Sequence, residues 1–176
     1  MMRRFISIAA LIIIVVLAGQ NAMAQNFKFG HINNDELIQS MPEFDSAQVK
    51  LEKFRKELVN ALDLMTVELN TKNEAYQKES KNLSDIVKQT KEQELMDMQK
   101  RIQDFQNNAQ QQLQNKQAEL FQPIVAKVDK AIKDVGKENG YFYIFDVSAS
   151  KATLLYFDET KSTNILPLVK TKLGLK

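Results

Sequence analysis

The chain has 176 residues, 44% of them hydrophobic, with 24 Lys and Arg against 22 Asp and Glu, one histidine and no cysteine. Without cysteine there can be no disulfide, no thiolate chemistry and no lipid attached through sulfur. A lone histidine leaves a metal site or a histidine relay without partners, and so even a charge balance argues against nucleic acid, whose binding rests on an excess of cations.

Met1 to Arg4 form a positive n-region, Phe5 to Gly19 an apolar stretch broken only by Ser7, and Ala22-Met23-Ala24 a small-residue cleavage site. This pattern predicts a signal peptide over 1–24, removed before Gln25. The apolar stretch is short for a bilayer span; a retained membrane anchor is the competing reading. Cleavage removes Arg3 and Arg4, so the mature chain carries 22 cations against 22 anions.

Phe27-Lys28-Phe29-Gly30-His31-Ile32 alternates apolar and polar side chains and predicts a strand. Between Gly30 and Gly136 there is no glycine, and between Pro42 and Pro123 no proline. That stretch of Leu, Glu, Lys, Gln, Met and Ala predicts helix from Glu43 to about Asn139. Met41-Pro42-Glu43 opens it, since proline is tolerated in a first turn, and Glu138-Asn139-Gly140 closes it with a left-handed cap.

Leu51, Leu58 and Met65 recur every seven residues, with Leu62, Leu69, Tyr76 and Leu83 beside them. A second seam runs through Leu95, Met98, Ile102, Phe105 and Ala109, then Phe121, Val125, Val128, Ile132 and Val135. Lys72, Glu79, Gln112 and Lys116 interrupt these heptads, which predicts a loose coiled coil. A single helix of about 95 residues would reach roughly 140 Å, so a hairpin is expected, with its tip near 82–90, where Asn82, Ser84, Asp85 and Thr90 lower helix propensity.

Tyr141 to Val147 is an aromatic and β-branched run that predicts a second strand, and Ala152 to Phe157 predicts a third after a turn over Asp146 to Lys151. Ser162-Thr163-Asn164 offers a cap to a short closing helix with Ile165, Leu168, Val169 and Leu173 on one face. The flanks 25–42 and 140–176 are too small to bury a sizeable core alone. With open apolar strand edges as well, they call for oligomerisation. The fold class expected is therefore α+β: a long helical coiled-coil hairpin, 43–139, projecting from a small β body that neighbouring copies complete.

The order of these elements resembles the Skp/OmpH family. The resemblance is carried by Lys28-Phe29-Gly30-His31-Ile32-Asn33, Pro123 to Ile132, Glu138-Asn139-Gly140-Tyr141, the strand ending at Phe145-Asp146, Leu154-Leu155-Tyr156, and Thr163 to Leu173. It implies a periplasmic homotrimer whose arms hold unfolded outer-membrane proteins without nucleotide, cofactor or catalysis. The trimer body would then be built on Phe27, Phe29, Ile32, Phe142, Ile144, Leu154 and Tyr156. A departure is charge: the best-known members are strongly basic, whereas Lys72 to Asp104 here holds equal numbers of cations and anions. Contact with membrane or lipid is therefore left open.

A holding chaperone needs dispersed, adaptable apolar groups. Met65, Met96 and Met98, with Leu69, Tyr76, Leu83 and Ile86, are the client-binding candidates, against the plainer reading that they pack one helix on the other. The tract Gln106 to Gln117, dominated by Gln and Asn, reads either as a hinge or as a solvated helix face. Pro123 reads as a kink or as the start of a separate helix. Asp146 and Asp158, near strand ends, lack any accompanying pocket motif for catalysis. The alternative function is a structural or scaffolding coiled coil, against which the interrupted seams speak.

Overall fold

A computed structural model describes residues 27–151, 154 and 156–175; the expected signal peptide lies outside the described residues. Strand β1 (Lys28–Ile32) leads into a short helix α1 (Asn34–Gln39). The two arm helices are α2 (Pro42–Glu79) and α3 (Asp85–Glu138), followed by β2 (Tyr141–Asp146), β3 (Ser162–Asn164) and the closing helix α4 (Leu166–Leu173).

Helix α1 was not among the expected elements. It starts because the Asn33 carboxamide oxygen accepts from the Glu36 amide at 3.1 Å, a side-chain N-cap. Asp35 and Glu36 also place negative charge on its first turn. Its buried Leu37 is the part that joins the core.

The arm is a hairpin of two helices, as the seam pattern requires. Pro42 occupies the first turn of α2, where its missing N–H removes no helical bond. The tip is tighter and earlier than the interval 82–90: α2 ends at Glu79, Ser80–Asn82 make one 3-10 turn, and Asp85 to Thr90 are already helical. Ser84, extended at φ −68° and ψ 156°, is the residue before α3, and the Asp85 carboxylate suits that helix's positive end. Thr90, expected to weaken the helix, bonds its hydroxyl back to the Ile86 carbonyl at 2.9 Å within it.

Helix α3 has 54 residues against 38 in α2, or roughly 80 Å against 57 Å of rise. The surplus length runs past the root of α2 into the body. Pro123 lies inside α3, which continues through it as one helix. It offers no N–H to the Glu119 carbonyl and so weakens the ladder at the level where the arm leaves the body.

Among the described residues the sheet has three strands in the order β2-β1-β3, both outer strands parallel to β1. Its third strand differs from expectation. Leu154, Tyr156 and Phe157 are outside regular structure, while 152, 153 and 155 lie outside the described residues. Ser162–Asn164, expected only as a helix cap, instead pairs with Phe29 to His31. Pairing here is decided by which backbone reaches the free edge of β1 rather than by side-chain hydrophobicity. The cap is present too, since Asn164 Oδ1 accepts from the Leu166 amide at 2.9 Å. At α4, the N-cap Ile165 and Val169 are buried and Leu173 packs on the core as expected, while Leu168 is exposed and Leu166 is buried instead.

The core joins body to arm. Ile32, Leu37, Met41, Ile165, Leu166 and Val169 from the flanks pack against Ala47 of α2 and against Ile124, Val128, Ala131 and Val135 of α3. The arm roots are thus the body's second layer, and the flanks do not fold as an isolated 55-residue piece. Lys127 to Glu43 at 2.5 Å, Lys172 to Glu138 at 2.5 Å and Lys170 to Glu36 at 3.4 Å tie the elements at the rim. The Lys127 ammonium holds the Glu43 carboxyl below its ordinary value; exposed pairs of this kind add little stability.

Gly30 is dictated by close approach. A Cβ there would stand 3.1 Å from Ile165 Cγ2, 3.2 Å from Tyr141 Cδ1 and 3.3 Å from Ile144 Cγ1. Gly30→Val is expected to destabilise by about 1–3 kcal/mol through overpacking, despite valine's preference for strands. Ile165→Ala, which empties a fully buried site, is expected to cost about 2–5 kcal/mol. Urea unfolding followed by circular dichroism measures both; a neutral Gly30→Val would mean that the sheet and α4 are not in contact at this point.

Candidate functional site

Two surfaces carry the candidate residues: the flanks of the arm and the outer face of the sheet. On the arm, Met65, Leu69, Tyr76 and Leu83 are half-buried along the line where α2 meets α3, and Met98 is 7% exposed. These candidates pack helix on helix, the plainer of the two readings. Ile86, 77% exposed in the first turn of α3, and Met96 do project.

The heptad reading passes over a second set. Leu64 is 72% exposed and Val67 61%, three residues apart on α2 and therefore neighbours on its surface. Val49, Val59 and Val87 are exposed as well. Their signal in the sequence is that they fall outside the Leu51, Leu58, Met65 repeat, where a two-helix seam has no use for apolar side chains.

Midway along the arm, Leu58, Leu62, Phe105, Ala109 and Leu113 line a shallow groove of about 270 Å³, with Val59 at its margin. At the root, Met41, Pro42, Ala47, Leu120, Pro123 and Ile124 line another of about 510 Å³. Two helices cannot surround each other's apolar side chains, so both flanks of the seam stay open.

Polar groups replace apolar ones in the outer arm. Lys72, at a seam position, bonds Glu94 across the hairpin and Glu68 one turn back. Tyr76 donates its hydroxyl to Glu92. The Lys72 ammonium holds the Glu94 carboxyl below its usual value and is itself raised by it. The Glu92 carboxylate raises the Tyr76 phenol. All four side chains are exposed enough for water and salt to screen them, so the outer hairpin is held more loosely than its root.

Among the described residues the helices cover one face of the sheet and no helix covers the other. Gly30 and Ile32 point inward, Phe29 and His31 outward. Phe29 pairs with Tyr143 and His31 with Phe145, so the outer face is a row of rings. Phe29 stacks parallel to Tyr143 at 6.4 Å, and Tyr143 lies 5.9 Å from Phe145. A register shift between Lys28 and Phe29 leaves Phe142 with no partner on β1, and its ring meets Phe27 at 4.4 Å.

Among the trimer-body candidates, Phe27, Phe29 and Phe142 are on this outer side, and Tyr156, outside regular structure, is 81% exposed. Leu154 is half-buried in a hollow with Val147, Tyr156 and Phe157. Ile32 and Ile144 face the helices and belong to the internal core, because the pleat that exposes Phe29 turns them inward. Tyr143 and Phe145, not among the candidates, take their place outside.

His31 accepts or donates through Nδ1 to Ser162 Oγ at 2.9 Å, and its ring packs 4.7 Å from Phe157. Asp146 Oδ1 accepts from the Ser148 amide at 3.0 Å and the Asn34 amide at 3.4 Å, bracing two chain turns. The Asp158 carboxylate accepts from Thr160, which lowers its pKa, and pairs with Lys161. Both carboxylates thus have structural duties. Among the described residues no cluster of His, Cys, Asp and Glu is suited to a metal ion, and no helix is long and apolar enough to cross a membrane.

Comparison with known proteins agrees with this architecture. The family profile described as "Outer membrane protein (OmpH-like)" matches residues 28–173, from the first residue of β1 to the last of α4. No curated protein matches the chain.

Proposed function

The chain belongs to the OmpH-like family, a family of periplasmic chaperones of outer-membrane proteins and not of enzymes, and on that premise we propose that it is an ATP-independent holdase. Three copies would join through their sheets, and unfolded outer-membrane proteins would be held in the cavity between the arms. The observation that carries this reading is the exposed apolar set outside the seam: Leu64, Val67 and Ile86 are spaced along arms whose own packing does not need them.

The bare aromatic face supports the assembly. Parallel sheets are ordinarily covered on both faces, and here the helices cover one. Phe27, Phe29, Phe142, Tyr143 and Phe145 offer a partner copy large rings with few rotatable bonds, the kind of surface that buries well. Equal numbers of cations and anions along the outer arm give no reason to invoke electrostatic capture of clients.

The purified mature protein is expected to suppress aggregation of a denatured outer-membrane porin without ATP. Replacing Leu64, Val67 and Ile86 together by Ser should weaken that suppression several-fold at unchanged Tm. Met98→Ala, by contrast, should lower stability through its lost packing. Light scattering should give three copies per particle. A chain that fails to suppress aggregation at several-fold molar excess, or that captures a single fixed partner when crosslinked in cells, would point to the scaffolding role instead.

A further inference from the structure

Asn139 is followed by Gly140, the one asparagine-glycine pair in the sequence, and the structure places it at the exposed junction where α3 hands the chain to β2. We propose that Asn139 is a site of spontaneous deamidation and isomerisation that loosens the connection between arm and sheet. In the reaction the Gly140 amide nitrogen loses its proton to solvent base and attacks Asn139 Cγ. The Cγ–Nδ2 bond breaks, Nδ2 leaves as ammonia, and a five-membered succinimide closes. Water then adds to either of its carbonyls, giving aspartate or isoaspartate at position 139. No oxidant, metal or enzyme is required.

Glycine matters because the attacking nitrogen has no β-carbon beside it. Gly140 sits at φ +68° with nothing within 4 Å of where a Cβ would stand, so no side chain crowds the approach on that side. Among the described residues that amide bonds the Lys137 carbonyl at 3.4 Å, beyond the usual hydrogen-bond range. The restraint is on the other partner: Asn139 Nδ2 donates to the Val135 carbonyl at 2.9 Å, and the backbone rests at φ −105° and ψ 3°. Attack therefore waits for Asn139, exposed one residue beyond the end of α3, to release the Val135 carbonyl and turn its backbone, a local opening that leaves the buried Val135 and Gly136 in place.

The products act on a joint that the fold uses. A carboxylate at position 139 puts negative charge at the negative end of a 54-residue helix and beside Glu138. It also loses the donor to Val135. Isoaspartate further carries the main chain through Cβ, adding a carbon just ahead of the Lys28 to Tyr141 pairing and beside the Asn139 carbonyl that Lys28 Nζ bonds at 3.2 Å.

The full mature protein is incubated folded, and in parallel unfolded in urea, in mildly alkaline buffer at physiological temperature. It is then digested and labelled with isoaspartyl methyltransferase, which reports isoaspartate directly. The folded chain is expected to accumulate label at position 139 roughly tenfold or more faster than at Asn107 and Asn108, which sit mid-helix where fraying does not reach. Asn139→Gln should stay unlabelled there and keep its Tm through the incubation while the wild type loses it. Label at position 139 in the unfolded chain but not in the folded one would overturn the proposal, and so would an equal loss of Tm in Asn139→Gln.

Discussion

The structure depends on one shared apolar layer, in which the roots of the arm helices are also the floor of the sheet. Val128 and Val135 of α3 are buried together with Ile32 of β1 and Ile165 and Val169 of α4, so body and arm cannot fold as independent units. This resolves a difficulty of size: the flanking segments are too short to bury a core of their own, and the surplus length of α3 over α2 supplies what they lack. It also fixes the arm's direction. A helix whose last turns are locked under a sheet leaves the body rigidly, whatever looseness lies farther out.

Against that tight root the outer face of the sheet stands open. Alternation along β1 sends Gly30 and Ile32 inward and Phe29 and His31 outward, and on the outer face β2 adds Tyr143 and Phe145 beside them. A strand in a one-sided sheet would carry polar residues on its solvent side. The ring row of Phe29, Tyr143 and Phe145 therefore has the composition of a surface made to be covered, and the proposed assembly covers it with copies of itself. Gly30 serves the opposite face: with no side chain of its own it lets Ile165 and Ile144 close over β1.

Much of this was legible in the sequence because it rests on local period. The lack of glycine between Gly30 and Gly136, the heptads and the alternation in Lys28 to Ile32 are read directly from residue order. What was not legible depends on partners distant in the chain. Ser162–Asn164 is a strand because β1 has a free edge beside it, and no property of Ser, Thr and Asn announces that. Helix α1 carried a readable cap in Asn33, but six residues are too few for a periodic pattern. The arm candidates divide in an instructive way: a heptad search finds residues that satisfy the hairpin, so Met65, Leu69 and Met98 lie along the seam, whereas Ile86 and Met96 project. Leu64 and Val67 were outside the pattern and remained at the surface.

That division bears on how a chaperone without nucleotide could let go. Fully burying one Leu, Val or Ile side chain stabilises by about 1.5–3 kcal/mol, so a client that covers only Leu64, Val67 and Ile86, and covers them in part, gains a few kcal/mol before its own ordering cost is subtracted. Such a contact lies in roughly the millimolar range and dissociates without a power stroke. Retention must then come from number rather than strength. In an assembly of several arms each released segment stays near the next patch, and its high effective concentration favours recapture. A seam weakened by Lys72 and Glu94 in place of apolar partners suits the same end, because arms that bend at low cost can bring their patches to clients of different size. Stronger individual sites would hold a client more firmly but would also keep it from folding elsewhere.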